Sequence, residues 1–282
     1  MKVAVIGADG MLGSEFMSIF INKDIEYAAY TLKDLDITNK ETLCVIEQYC
    51  PNIIINCSAY TAVDKAEEDI KMAYAVNGEG VKNLAEIALT LGAKFVHFST
   101  DYIFSGEGTR PYLEDDESAP VSVYGKSKLQ GEEELRRILP FDKYLLLRTA
   151  WLYGIGGNNF VKTMIRLANE GKDIKVVDDQ VGSPTFAKDL AMWTIELLDK
   201  NCSGIYHAVN SGSCNWYQFA NKIFELSQIK VNCSAVNSTQ FITKAKRPRY
   251  SIMNNNKLQK DLGYSIREWP EALSEYIFLT KL

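Results

Sequence analysis

The strongest constraint on this chain is its opening run, Met1-Lys-Val-Ala-Val-Ile-Gly-Ala-Asp-Gly-Met-Leu-Gly13. Lys2 to Ile6 is apolar and rich in β-branched side chains, which predicts a buried strand. The run breaks at Gly7, glycines recur at Gly10 and Gly13, and an apolar, helix-compatible segment runs from Leu12 to about Phe20. A strand that turns on glycines into a helix leaves backbone N–H groups free at the helix N-terminus, where a diphosphate meets no Cβ. The glycines have separable tasks: a tight turn, close approach of backbone to pyrophosphate, and close packing of helix on strand. Their spacing is Gly-x-x-Gly-x-x-Gly, one residue longer than the usual dinucleotide fingerprint. Glycines alone also mark plain turns, so the strand–turn–helix context carries the nucleotide reading.

Strand-like runs recur at Glu26–Tyr30, Ile53–Cys57, Phe95–Ser99, Tyr144–Arg148 and Ile205–Val209. Helical patterns fill the gaps at Leu12–Asn22, Lys40–Tyr49, Val63–Leu91 and Ser122–Arg137. This alternation predicts an α/β fold, a Rossmann-type doubly wound parallel sheet. Thr38 followed by Glu41 reads as a capping box ahead of the second helix. After about Trp151 the pattern changes to helices at Asn159–Glu170, Phe186–Leu198, Trp216–Ser227 and Arg267–Leu279, joined by Gly-, Pro-, Asn- and Ser-rich loops. Residues 1–150 therefore read as a dinucleotide-binding domain and 151–282 as mostly a smaller, discontinuous substrate-binding lobe. The strand near 203–210 is expected to rejoin the main sheet. In such folds ligands bind outside the carboxyl ends of the strands, at the switch point.

A formal charge of −5 gives no support to nucleic-acid binding or a membrane-surface role. No apolar run reaches the length of a membrane span, and residues 1–6 read as a strand without signal-peptide architecture. Cys44, Cys50, Cys57, Cys202, Cys214 and Cys233 form no C-x-x-C pair and read as reduced, mostly buried thiols of a cytoplasmic protein. With only His97 and His207, a histidine-based metal centre or a Ser-His-Asp triad is disfavoured. His97 lies inside the apolar run Phe95–Phe98 and reads as a strand residue without catalytic duty.

Three strand ends bear the candidate chemistry: the glycine loop, Asn56-Cys-Ser-Ala-Tyr-Thr61, and Ser99-Thr-Asp-Tyr102. Downstream lies Tyr124-Gly-Lys-Ser-Lys128, and of fifteen tyrosines only Tyr124 has a lysine four residues later. On a helix that spacing puts both side chains on one face. A free phenol, with a pKa near ~10, is a poor proton shuttle at neutral pH. A lysine ammonium about 5 Å away, at an effective dielectric near ~20, favours phenolate by roughly 3 kcal/mol, or about two pKa units. Tyr124 is thus expected to donate a proton to a carbonyl oxygen as hydride arrives on its carbon, with Lys128 also holding ribose hydroxyls. Thr100 offers a short hydroxyl at a strand end that can orient the carbonyl.

With these residues in view, the chain resembles the extended short-chain dehydrogenase/reductases, and among them the dTDP-4-dehydrorhamnose reductase family. The resemblance covers nearly the whole chain. It rests on Gly7–Gly13, Asn56–Glu67, Ser99–Phe104, Tyr124–Leu129, Arg148–Trp151, Gly157–Phe160, Asp179–Thr185 and Arg247-Pro248. The glycine loop and Tyr-x-x-x-Lys are generic to the superfamily; Thr61-Ala-Val-Asp-Lys-Ala-Glu67 and Asp179-Gln-Val-Gly-Ser-Pro-Thr185 are far more specific. The resemblance implies reduction of the C4 keto group of dTDP-4-dehydro-L-rhamnose to dTDP-L-rhamnose with NADPH or NADH. It makes Tyr124 the proton donor, Lys128 its partner, and Thr100 the hydroxyl that positions the keto-sugar. Gly7, Asp9, Gly10, Met11, Leu12, Gly13, Asp36, Ile37, Cys57, Ser58, Ala59, Tyr60, Thr61 and Ser99 fall where the family meets cofactor, alongside Tyr124 and Lys128. Asp101 and Trp151 fall where it meets the nucleotide-sugar substrate. Sugar-nucleotide dehydratases resemble the chain too, but have an Asp-Glu pair after the threonine where this chain has Asp101-Tyr102, which favours simple reduction. Two other readings stay open: reductase or epimerase action on another sugar nucleotide, and a non-catalytic regulatory subunit like the β subunit of methionine adenosyltransferase, which resembles the same family.

The end of the second strand, Ala29-Tyr-Thr-Leu-Lys33, lacks the acid that would bind the ribose 2′-hydroxyl of NAD, and Lys33 suits a 2′-phosphate, a slight lean to NADPH. Some family members form a magnesium-bridged dimer through carboxylates on two helices. Glu15 matches one position, but Lys188 stands where an acid is expected, so no metal is predicted and a homodimer stays open. The basic stretch Lys244-Ala-Lys-Arg-Pro-Arg249 suits a nucleotide diphosphate, with Arg247 the best candidate for phosphate contact. Trp216, Tyr217 and Phe219 lie at helical spacings and read as core of the small lobe rather than a base-stacking platform.

Overall fold

The computed structural model describes residues 2–23 and 25–281. Its main sheet is built from β1 (Lys2–Ile6), β2 (Glu26–Tyr30), β3 (Ile53–Asn56), β4 (Lys94–Thr100), β5 (Tyr144–Thr149) and β6 (Gly204–His207). The strand order is β6-β5-β4-β3-β1-β2, with every neighbouring pair parallel. Chain order reverses on either side of β1, so the crevice for a ligand opens where β1 and β3 end.

Side-chain alternation explains why both faces are covered. Val3, Val5, Ile55, Val96 and Phe98 point into one apolar layer with α1 (Met11–Lys23), while Ala4, Ile6, Ile54, Phe95 and Leu146 point into the other. The second layer is closed by α2 (Cys44–Tyr49), α3 (Gly80–Leu91) and α4 (Val123–Ile138). A sheet apolar on both faces needs helices on both, and its strands read as continuous apolar runs. Beyond the sheet, α5 (Phe160–Asn169) packs with α7 (Trp216–Leu226) and α9 (Trp269–Thr280) around Met164, Phe219 and Tyr276. Two further helices, α6 (Ala187–Asp199) and α8 (Asn256–Leu262), return to the first layer of the main sheet. No helix among the described residues is long and apolar enough to cross a membrane.

Three local expectations need correction. Asn39, not Thr38, caps the turn that leads into α2: its Oδ1 accepts from Glu41 N at 3.0 Å. Thr38 instead donates its hydroxyl to Asp36 Oδ1 at 2.8 Å, because the Asp36 turn competes for it. The single helix expected over Val63–Leu91 is broken into Val63–Ala66, Ile70–Tyr74, a π-helical turn at Ala75–Glu79, and α3. That wide turn delivers the buried amide of Asn77, which bonds Tyr60 N (2.9 Å), Tyr60 O (3.1 Å) and Ser127 Oγ (3.0 Å). The six cysteines are free, as expected, but only Cys214 is fully buried; Cys44 and Cys50 lie on the outer side of the short α2 and are exposed.

Candidate active site

The glycine loop is shaped by two close approaches. Gly7 sits at φ +76°, and a Cβ there would lie 2.9 Å from Ser58 N. At Gly13 a Cβ would lie 2.1 Å from Gly7 O, so only glycine lets α1 rest against the turn. Ser14 N reaches back to Gly10 O at 3.0 Å, which leaves the N–H groups of Met11, Leu12 and Gly13 at the open first turn. The neighbouring segment Cys57–Thr61 continues β3 across the same opening, with Cys57 N bonded to Ile6 O at 2.9 Å. Asn77 holds the Tyr60 backbone in place, and Ala59 and Thr61 flank it. Asp9 lies exposed at the rim. Asp36 and Ile37 follow the end of β2, with the Ile37 side chain filling the space above Gly80. Free amide donors facing a surface that a Cβ would fill are what a dinucleotide diphosphate needs, so these residues fit the cofactor.

At the end of β2, Lys33 and Asp34 are both exposed, and Asp34 accepts from its own turn at Thr31 N (2.7 Å) and Thr31 Oγ1 (2.8 Å). These bonds hold the Asp34 carboxyl below its ordinary value.

The second strand end carries the polar cluster. Thr100 Oγ1 donates to Asp101 Oδ1 at 2.9 Å and accepts from Tyr102 N at 3.2 Å. Asp101 is 2 % exposed, its Oδ2 makes no hydrogen bond, and burial pushes its carboxyl up to about 6. Ser99 Oγ is likewise buried without a partner. Ser122 caps α4 by accepting from Gly125 N at 3.1 Å, which sets Tyr124 in the first turn beside Thr100. The Tyr102 ring meets the Tyr124 ring edge-on, with centroids 5.4 Å apart. Lys128 follows one turn later, 2 % exposed. Its Nζ donates to Phe98 O at 2.6 Å and faces His97 Nε2 at 3.3 Å.

This arrangement corrects the expected electrostatics of Tyr124. Its phenol is pushed up to about 12, not down, because burial dominates; the adjacent Thr100 hydroxyl opposes that shift and Asp101 adds to it. Lys128 does not counter it, because its amine bonds to β4 rather than to the phenol. His97, expected to be a bystander in the strand, touches Lys128 directly. The available signal was the two-residue period of β4, which sets His97 and Ser99 on one side of an otherwise apolar strand.

Trp151 and Arg247 lie further out. Trp151 has φ +47°, rare for a bulky residue, and its ring stacks on Trp216 at 3.6 Å. Trp216 is therefore part of an aromatic face, tilted against Phe160 at 4.6 Å, whereas Phe219 is buried core. Arg247 is engaged by Asp64, with Nη1–Oδ1 at 3.0 Å and Nη2–Oδ2 at 2.6 Å. Lys244 pairs with Glu68, so two cations of the basic stretch already have acidic partners. Beside them lies a cavity of about 1090 Å³, lined by Phe160, Met164, Trp216, Arg247 and Arg249 among others. Thr100, Asp101, Tyr124 and Lys128 are not among its lining residues. Near α1, Glu15 is buried and Lys188 Nζ bonds Glu275 at 2.6 Å.

A doubly wound sheet with a glycine turn at its switch point, and a Thr–Tyr–Lys cluster at the next strand end, define an extended short-chain dehydrogenase/reductase fold. The chain belongs to the family described as RmlD substrate binding domain, whose model matches residues 1–281. It is 41 % identical over 277 residues to the spore coat polysaccharide biosynthesis protein SpsK of Bacillus subtilis, covering 98 % of this chain and 96 % of that one. Among solved structures it superimposes on a dTDP-4-dehydrorhamnose reductase from Clostridium acetobutylicum with a TM-score of 0.96, 44 % identity and full coverage of both chains. The Bacillus anthracis dTDP-4-dehydrorhamnose reductase, solved in complex with NADP, gives a TM-score of 0.95 at 40 % identity, with 99 % of each chain covered.

Proposed function

We propose that this protein reduces the C4 keto group of dTDP-4-dehydro-L-rhamnose to give dTDP-L-rhamnose, using NADPH or NADH. The observation that carries the reading is the single cluster of Thr100, Tyr124 and Lys128 beside a glycine turn with open amide donors. The family membership and the names of its solved relatives supply the substrate class. In this reading the sheet domain of residues 1–150, completed by the strand near 203–210, holds the coenzyme. The lobe within 151–282 holds the sugar nucleotide. The nicotinamide supplies the hydride.

Gly7, Gly10, Met11, Leu12 and Gly13 receive the diphosphate on backbone amides, with Asp9 at the rim. Asp36 and Ile37 border the adenine, and Cys57, Ser58, Ala59, Tyr60, Thr61 and Ser99 line the path to the ring. Thr100 orients the keto oxygen and Tyr124 protonates it. A phenol held near 12 is fully protonated at neutral pH, which suits an acid that must arrive loaded. Asp101, with a free carboxylate oxygen, and Trp151 face the sugar. The cavity fits a nucleoside diphosphate because aromatic and thioether side chains line it together with arginines. Arg247 would then bind phosphate while anchored by Asp64, as a fixed rather than a mobile cation. The acting protein is cytoplasmic, and any homodimer forms without a carboxylate at position 188.

The test is oxidation of NADPH and NADH by purified protein given dTDP-4-keto-6-deoxy-L-lyxo-hexose. Rapid oxidation supports the reading. Silence with both coenzymes, despite measurable coenzyme binding, overturns it.

A further inference from the structure

Lys128 sits in a chain of hydrogen bonds whose direction is fixed at its far end. Ser58 N, a backbone group that can only donate, gives its proton to Asn56 Oδ1 at 3.0 Å. Ser58 Oγ adds a second bond to the same oxygen at 2.5 Å. The Asn56 oxygen is therefore committed to Ser58, and its NH₂ group faces His97 Nδ1 at 3.2 Å. Asn56 and His97 are direct partners in the β3–β4 register, and the His97 ring also stacks on Phe95, so neither can turn away. An amide donor at Nδ1 requires a lone pair there, which puts the ring proton on Nε2. That N–H points at Lys128 Nζ, 3.3 Å away. An ammonium has three donors and no lone pair, so the contact is a hydrogen bond only when the amine is neutral.

We propose that His97 is a positioning residue for Lys128: locked by Asn56 and Ser58 as the Nε2–H tautomer, it opposes the ammonium in the unliganded protein and donates to Lys128 Nζ once that amine is neutral. The flipped arrangement, with Asn56 Oδ1 toward His97, would aim an NH₂ group at Ser58 N–H and lose that bond. Other charged groups facing Lys128 do not supply the same bias. Glu132, one turn further along α4, favours the ammonium, but it is bound to Arg148 of β5 at 2.8 Å. From the preceding turn Tyr124 presents a neutral phenol, and from the neighbouring π turn the neutral amide of Asn77 is bonded to Ser127 of α4. The importance given to Lys128 rests on the reductase reading; the tautomer does not.

The chain has two histidines, and the structure gives them opposite tautomers. His207 Nδ1 faces the Tyr112 carbonyl at 3.1 Å and must carry its proton there, whereas His97 carries it on Nε2. A long-range proton–nitrogen NMR spectrum of the labelled, unliganded wild-type protein should show one ring of each kind. Two Nδ1–H rings, or an imidazolium at His97, would overturn the proposal without any variant. The ¹³Cε resonance of Lys128 should titrate near 8 in the wild type. In His97→Leu, which stays apolar but removes the donor, that midpoint should rise by about one pH unit. An unchanged midpoint would sink the idea. Asn56→Asp offers a second route: it keeps an acceptor for Ser58, places another at His97 Nδ1, and should convert His97 to Nδ1–H, while retention of Nε2–H contradicts the lock. None of these measurements uses substrate. Failure of turnover with an intact Nε2–H would reject the reductase reading alone, and turnover with a Nδ1–H ring would reject the His97 proposal alone.

Discussion

Two buried charged residues on α4, Lys128 and Glu132, stand one turn apart in contrasting company. Glu132, fully buried, is gripped by Arg148, with Nε at 3.1 Å and Nη2 at 2.8 Å. Arg148 in turn donates to Glu114 O at 3.0 Å. Lys128, nearly as buried, has a carbonyl and a ring nitrogen for company, with no carboxylate bonded to it. Around it Ser99 Oγ and Asp101 Oδ2 are unpartnered. A polar group buried without full satisfaction costs free energy and persists where something else is gained. The complete pair holds β5 to α4; in the proposed function, the incomplete cluster gains its missing partners from a ligand.

The sharpest way to break that contrast is at Tyr124. Tyr124→Phe deletes one hydroxyl from the incomplete cluster, and turnover should fall by about a thousandfold. Coenzyme affinity and the unfolding midpoint should stay close to wild type. Full activity in steady-state assays would remove Tyr124 from the chemistry.

Arg148→Met attacks the complete pair instead. It strands a buried carboxylate and should cost about 3–5 kcal/mol of stability in denaturant titrations, while the folded fraction keeps its turnover within a few-fold. Adding Glu132→Leu should recover most of the loss, because removing both charges removes the desolvation problem. A double variant as unstable as the single one would show that the pair is more than a charge balance.

Asp101 tests the incomplete side by pH. Burial raises its carboxyl from the ordinary carboxylate value of 3.8 to about 6, so between those values the folded protein holds the proton more tightly than the unfolded chain. Its contribution is therefore favourable at low pH and is lost as pH rises through the window from about 4 to 6, by up to about 3 kcal/mol. His207, driven down to about 3 chiefly by burial, works in the opposite direction over much of the same range. The informative quantity is thus the difference between wild type and Asp101→Asn. The variant should gain relative stability as pH rises from 4 to 6.5, and a pH-independent difference would mean that Asp101 titrates normally.

The contrast also marks what the sequence could tell. The sheet was legible because β1, β3, β4 and β5 are apolar runs separated by helix-length gaps, and covering helices demand that pattern. Tyr124 and Lys128 stood out because an i,i+4 pair is a local property. The hidden features all depend on distant partners. Arg247 looked like a free cation because Asp64, which binds it, is 183 residues away. His97 looked like a strand filler because nothing local shows that Lys128 reaches its Nε2. The expected lowering of the Tyr124 phenol failed for the same reason: spacing put lysine on the right face, but β4 determined where its amine points. Asn39 displaced Thr38 as a cap because both were available within two residues and the Asp36 turn had already taken Thr38.

The smallest expected effect lies at the coenzyme rim, where no burial amplifies charge. Lys33 is exposed after β2, and the nearby acid Asp34 is turned into the Thr31 turn and held by two bonds. An acid that accepts from its own turn is not aimed outward at a ribose hydroxyl, so it neither recruits NADH nor repels a 2′-phosphate strongly. That leaves one solvated lysine to discriminate, and an exposed ion pair contributes about 0.2–1 kcal/mol. Lys33→Ala should therefore weaken NADPH binding about threefold, leave NADH unchanged, and lose its effect at high salt. Fluorescence titration with both coenzymes at two ionic strengths would measure it. An equal loss for both coenzymes would show that Lys33 supports the loop rather than the phosphate, and a loss of a hundredfold would mean that the rim is closed over by protein when coenzyme binds, so that this charge is exposed only in the unliganded state.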